Sequence, residues 1–302
     1  MCSLLLPACI ARFLAWSEST LAPKTTELYG SYLRRFERWA GPVDVRTVTP
    51  ALLTSWSRKH HPTQSVRRLL SWLAREERSI QSNPLEGMRK PRQGRRRRVL
   101  SWVESARMLR RSDGCFRRLL IALRESIMRP QEARAVRWDE ISLPDGRPAD
   151  SAQICAGMAC WRVAGAKGFN RRADQDEERT IPISPRLGRL LLRSTIVERN
   201  AGGVIFRNSR GHPWTANAVR CRMRRLRVRA GLVADHRGER IVAYSLRHTS
   251  ATRYIADGGK PYLLRVIMGH ARFRTTERYL HVQPVDAVAE LGRVFRPKPG
   301  RK

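Results

Sequence analysis

Apolar residues recur at three-to-four spacing through most of this chain, and the recurrence breaks at proline, glycine and asparagine. Leu28, Tyr32, Leu33, Phe36 and Trp39 share one face of a helix that Gly41 and Pro42 terminate. Thr49 followed by Pro50 is a cap with proline at the first helical position. Val66, Leu69, Leu70 and Leu73 mark a further helix, stopped at Asn83-Pro84. The helical pattern resumes at Ser101, which forms a capping box with Glu104, and holds to about residue 140 with a turn at Asp113-Gly114. Between 150 and 184 the character changes: QICAGMACWRVAG and RTIPIS read as β-like, joined by AKGFNRRADQDEE as a hairpin with a long loop. Helical spacing returns at Leu187, Leu190 and Leu191 and again at Val219, Met223 and Leu226. The expected fold class is mainly α with a small β-hairpin or sheet in the second half of the chain.

The stretch MRKPRQGRRRRVL is basic, punctuated by proline and glycine, and poor in apolar residues. Taking 91–100 as a linker divides the chain into a helical bundle, 1–90, and a second domain, 101–302. A chain of 302 residues is long enough for two cores. The opening MCSLLLPACIARFLAW faintly resembles a signal peptide, but it lacks a basic start and its apolar run is too short to span a bilayer. It reads as the first amphipathic helix.

Charge narrows the partner. Lysine and arginine number 60 against 26 acidic residues, a formal charge of +34. That imbalance calls for a polyanion, nucleic acid ahead of a membrane surface. Arg34, Arg35, Arg38, Arg58, Lys59, Arg67, Arg68, Arg75 and Arg78 lie between the apolar positions of the bundle, and Arg220 to Arg229 form a basic amphipathic stretch. Such faces suit phosphate contacts, although any solvated arginine-rich helix looks the same. The six cysteines form no CxxC pair and no zinc spacing, as for reduced thiols in a cytoplasmic protein.

Chemistry concentrates between Tyr244 and His281. Ser245 suits an N-cap, which places Arg247 and His248 in the first turn of a helix ended by Gly258-Gly259. Met268-Gly269-His270 closes the next helix, and Thr275 can cap another that carries Tyr279 in or just beyond its first turn. A helix N-terminus and flanking arginines favour the phenolate, the form that attacks phosphorus. Far upstream, Arg129 precedes Pro130 at a helix start, beside free backbone N–H groups that can hold an anion. Two guanidinium forks clamp a phosphodiester in flight, and the departing oxygen needs a proton that lysine can supply and arginine cannot. Only seven of the basic residues are lysine, and Lys167 alone falls between positions 90 and 260. Nothing resembles the paired carboxylates of a metal-dependent nuclease; Asp174, Asp176, Glu177 and Glu178 read as a solvated loop.

YSLRHTSAT, Gly258 and MGHARFRTTERY together resemble the C-terminal signature of the tyrosine recombinases (phage integrase and Xer-like enzymes), and MRPQE resembles their first arginine box. The resemblance covers essentially the whole chain, with a helical core-binding domain followed by a catalytic domain. It implies that Arg129 and Arg247 clamp the scissile phosphate, that Lys167 is the general acid, that His270 assists and that Tyr279 forms a 3′-phosphotyrosyl bond. It implies a double-stranded DNA partner, no metal or nucleotide cofactor, and a homotetramer on two DNA sites. The apolar positions Val285, Val288, Ala289, Leu291, Val294 and Phe295 then form a terminal helix, docked on a neighbour or packed in cis. Two departures stand out. Tyr244, counted in the catalytic set, occupies the place where the family usually has histidine, so reduced or retuned activity is expected. The loop from Lys167 to Arg179 is also longer than is common. Rival readings are a type IB topoisomerase-like enzyme and a decayed recombinase that only holds DNA.

Overall fold

Among the described residues six helices carry proline at or next to their first position, where its missing N–H costs nothing. A computed structural model describes residues 4–89, 98–163, 179–193 and 203–280. The chain divides into two compact units, residues 1–95 and 96–302.

The first unit holds α1 (Leu6–Thr20), α2 (Pro23–Ala40), α3 (Pro50–Trp56) and α4 (His60–Arg75). The opening segment is thus the first helix, burying Leu6, Ile10 and Phe13 in the core of this unit. Thr49 caps α3 as read, its side chain accepting from the Leu52 N–H. On α2 the buried stripe is Gly30, Leu33 and Phe36, whereas Leu28 and Trp39 are exposed. The stripe is narrower than expected because α2 meets α1 and α4 along one i, i+3 row, and Trp39 stacks on Phe36 from outside. Helix α4 stops at Arg75, before Asn83-Pro84.

The second unit opens on α5 (Trp102–Arg111), with the Ser101–Glu104 capping box in place, followed by α6 (Gly114–Glu125) and α7 (Pro130–Ala133). Then come β1 (Ile141–Ser142), α8 (Ser151–Ala156), β2 (Cys160–Val163) and β3 (Arg179–Pro182). The strands form one antiparallel sheet in the order β1-β2-β3, with Trp161 opposite Ile181. After the sheet follow α9 (Pro185–Leu192), α10 (Ala216–Arg229), α11 (Ala243–Ala256) and α12 (Pro261–Met268). Trp161, Phe116, Ile181, Leu187, Leu226 and Ile241 centre a core shared by sheet and helices.

The first part of the expected strand 153–165 is helical. Asp150 and Gln153 form a capping box that starts α8, and Gly157 ends it at φ 79°. A Cβ on Gly157 would sit 2.8 Å from Pro185, so α8 can pack on α9 only with glycine there. Local capping therefore overrides the β-like composition, and pairing begins at Cys160. Lys167 and the acidic run 174–178 lie outside the described residues, as do the linker residues 90–97 and the terminal segment 281–302. Among the described residues no helix is long and apolar enough to cross a membrane.

Candidate active site

Arg129 is the N-cap of α7, just outside the helix as expected. Its backbone N–H donates to Glu132 Oε2 at 2.7 Å and its Nη1 to Glu132 Oε1 at 2.8 Å. Its Nη2 reaches 3.0 Å to the carbonyl of Gly269, at the far end of α12.

Helix α11 begins at Ala243 with Val242 as its N-cap, three residues earlier than the expected cap at Ser245. Ser245 sits inside the first turn, where its hydroxyl accepts from the Val242 N–H. The capping function survives at a shifted position, because a serine can bond the N-cap amide from within the turn. Tyr244 is consequently in the first turn and Arg247 lies a turn deeper. Arg247 is 0 % exposed; Nη1 donates to the Ile127 carbonyl and Nη2 to the Met268 carbonyl, both at 2.7 Å. Burial, then the nearby Arg129, push its pKa down to about 10, so it stays charged at neutral pH.

Glu132 joins these arginines. Its Oε2 accepts from Arg179 Nη2 at 2.7 Å and lies 4.0 Å from Arg247 Nη1. One carboxylate therefore faces three guanidiniums. Burial pushes the Glu132 carboxyl up, but Arg179 and Arg129 outweigh it and hold it below the ordinary carboxylate range. In sequence Glu132 is only an acidic residue in the first turn after Pro130, where the helix dipole favours it, and nothing marks Arg179. No spacing marks one arginine among so many; only its burial at the start of β3 does.

The C-terminus of α12 is the second focus. Arg179 Nη1 also donates to the Met268 carbonyl at 3.0 Å, so Met268 and Gly269 together receive Arg247, Arg179 and Arg129. Helix C-terminal carbonyls attract cations, so α12 gathers three guanidiniums that would otherwise repel. Gly269 is the C-cap at φ 60°, and a Cβ there would meet Arg179 Nη1 at 2.4 Å. The Nε atoms of Arg247 and Arg179 are buried without a hydrogen-bond partner among the described residues. Three cations against one anion, with donors left over, make a site suited to a further anion.

His270 follows Gly269 and is buried. Its Nδ1 lies 2.9 Å from the Thr276 hydroxyl and its Nε2 3.5 Å from Arg247 Nη2. Burial, then Arg247, push its pKa down to about 3. The ring is neutral at any physiological pH and can serve as a hydrogen-bonding group beside Arg247. This has a stability consequence. Between about 3 and the ordinary 6.5, the unfolded chain takes up a proton that the folded ring refuses, so stability falls as pH drops below 6.5. Glu132 has the same sign but acts lower, its contribution fading only below the ordinary carboxylate value of 4.5. The melting temperature should therefore fall from pH 7 to pH 5, and His270→Asn should flatten that slope. Equal slopes for the two proteins would refute the assignment.

Tyr279 ends a 3₁₀ turn (Glu277–Tyr279) rather than lying in the first turn of an α-helix, and among the described residues Thr275 caps no helix. It is 1 % exposed, in a small cluster with Ile127, Ala251, Leu264 and Met268. Its hydroxyl accepts from Arg278 Nη2 at 2.8 Å, and its ring lies 5.1 Å from that of His248. Burial raises the phenol's pKa against the pull of Arg278 and Arg247, so this conformation favours the phenol and not the phenolate expected from a helix N-terminus. Tyr244, which is 37 % exposed, lies near enough to Arg278 to help hold its charge, so one guanidinium faces both phenols. Of the expected set, Arg129, Arg247 and His270 meet around Glu132 and the end of α12, Tyr279 packs beside Met268, and Tyr244 borders Arg278. Lys167 lies outside the described residues.

The phage integrase family model matches residues 104–285, which include every one of these residues. The chain is 25 % identical over 290 residues to tyrosine recombinase XerC 2 of Ralstonia nicotianae, covering 90 % of this chain and 74 % of that one. It is 27 % identical over 120 residues to tyrosine recombinase XerD of Lacticaseibacillus casei, covering 38 % and 39 %. In fold it is similar to a lambda integrase dimer bound to a COC′ core site, with TM-score 0.71, 18 % identity and coverage of 92 % and 77 %. It is also similar to the XerH site-specific recombinase bound to difH substrate, with TM-score 0.64, 16 % identity and coverage of 95 % of each chain. Two helical units, a three-stranded sheet and a family match spanning both arginines and the buried tyrosine lead to one conclusion: this chain belongs to the phage integrase family, the tyrosine recombinases.

Proposed function

We propose that this recombinase cuts and rejoins double-stranded DNA at specific sites through Tyr279. The Tyr279 oxygen attacks a phosphorus held by Arg129 and Arg247. The phenol gives up its proton to solvent water, the P–O5′ bond breaks, and the 3′ end remains on the tyrosine. Lys167 protonates the departing 5′ oxygen, and His270 donates a neutral hydrogen bond beside Arg247. A 5′-hydroxyl from a second duplex then reverses the step and releases Tyr279. The diester bond energy is kept in the phosphotyrosine, so no external energy source is needed. In this reading residues 1–90 are the core-binding domain, 91–100 the linker and 101–302 the catalytic domain. Four copies act on two DNA sites, in the cytoplasm.

The observation that supports this most is the convergence of Arg129 and Arg247 on Glu132, beside the cluster that holds Tyr279. In the first unit Arg34, Arg35, Arg38, Arg58 and Lys59 are exposed, as phosphate contacts require. Tyr244 in the usual histidine place and the raised phenol pKa favour a second reading, a protein that binds without cutting. Nicked duplexes built from the repeats flanking its coding sequence separate the two. An adduct that survives detergent, with the nucleotide mapped by mass to Tyr279, supports cutting. Binding without adduct supports the second reading, and relaxation of any supercoiled plasmid by a monomer points to topoisomerase-like action.

A further inference from the structure

Helix α6 ends at Glu125 with Ser126 as its cap. The residue after a cap is where helices commonly turn left-handed, and glycine commonly fills it because a Cβ crowds the backbone there. Here that residue is Ile127, at φ 55°. A β-branched side chain is among the least tolerated in this region. The turn has a consequence for the site. It points the Ile127 carbonyl at Arg247, which donates to it through Nη1 at 2.7 Å in a buried bond. The Ile127 side chain is 7 % exposed and belongs to the same small cluster as Ala251, Leu264, Met268 and Tyr279. Glycine would supply the carbonyl without strain but would open that cluster. Isoleucine closes it and leaves the backbone strained.

We infer that Ile127 is a positioning residue that holds the site at rest: its strained backbone presents the carbonyl that anchors Arg247, and its side chain completes the apolar seat that keeps Tyr279 away from DNA. The kinetic consequence rests on Tyr279 being the nucleophile. The strain and the seat are properties of the folded chain and stand or fall without it.

The test compares Ile127→Gly, Ile127→Ala and Ile127→Val in the full chain. At an ordinary helical or extended position alanine is the more stable of the first two; at φ 55° the order reverses, so the glycine variant should melt at or above the alanine variant. Nitration by tetranitromethane, read by peptide mass spectrometry, should be slow at Tyr279 in the parent relative to Tyr262, which is 63 % exposed. In the glycine and alanine variants it should rise by roughly ten- to a hundredfold, the change expected on opening a seat closed by one aliphatic side chain, and in the valine variant by less. Single-turnover adduct formation should rise in parallel while the DNA dissociation constant stays unchanged. An alanine variant that melts above the glycine variant, or Tyr279 nitration unchanged across all three, overturns the inference. So does a faster adduct matched by an equal change in DNA affinity. Should the parent form no adduct, the proposed function fails, while the melting order and nitration still decide this inference. The valine change trims one methylene and keeps the β-branch, so it reports even where the smaller residues do not fold.

Discussion

Tyr279→Phe is expected to abolish strand cleavage while leaving the fold and DNA binding in place. The ring stays in its cluster with Ile127, Ala251, Leu264 and Met268, so almost no apolar burial is lost. What disappears is one oxygen and its 2.8 Å bond from Arg278. A lost bond to a charged donor is worth about 1.5–3 kcal/mol at most, so the melting temperature should shift by only a few degrees. Removing a nucleophile costs on the order of 10⁴-fold or more in rate, below detection in most cleavage assays. Gel shift and detergent-resistant adduct, measured on the same preparation, separate the two effects. A surviving adduct would move the nucleophile elsewhere, first to Tyr244, the other phenol near Arg278 and the more exposed of the two. Tyr244→Phe is the control, expected to keep the adduct at Tyr279.

The second large effect is expected at Arg247. Arg247→Lys keeps the charge but loses the fork, and one ammonium on a flexible stem cannot reproduce two bonds, to the Ile127 and Met268 carbonyls, while facing a phosphate. Losing such a donor from an electrostatic clamp costs roughly 10²–10³ in the cleavage step, and a bidentate one falls at the upper end. DNA affinity should change little, because binding draws on many phosphate contacts. The Ile127 carbonyl is left without its buried donor, whereas Met268 keeps Arg179. Single-turnover cleavage under saturating protein reads the chemical step directly. A lysine variant within tenfold of the parent would remove Arg247 from the clamp.

Much of this architecture can be read from the chain because it is local. Thr49-Pro50, Ser101 with Glu104, and Gly269 after Met268 each act within a turn, and each helix end lies where those residues place it. Where the reading missed, a second local signal competed with the first. Ser245 caps from inside the turn and not ahead of it, and Asp150 with Gln153 starts a helix in a stretch whose composition looks β-like. The motif residues were legible for the same reason: Arg247, His270 and Tyr279 stand at fixed intervals in one short segment.

Composition and spacing alone determined the helical character of the chain, its polyanionic partner and the residue types that handle a phosphodiester. Tertiary structure decided which of many identical guanidiniums converge and in what state Tyr279 rests. Arg179 is indistinguishable from its neighbours until β3 lays it against Glu132 and the end of α12. Glu132 is an ordinary first-turn carboxylate beside Arg129 until Arg179 and Arg247 reach it from distant segments. Tyr279 is a phenol beside arginines in sequence, but a buried one with a raised pKa in space. The physical reason is common to all three. Capping and helix periodicity are set by residues within one turn, whereas desolvation and charge pairing depend on which segments exclude water from one another, and in this chain those segments lie far apart in sequence.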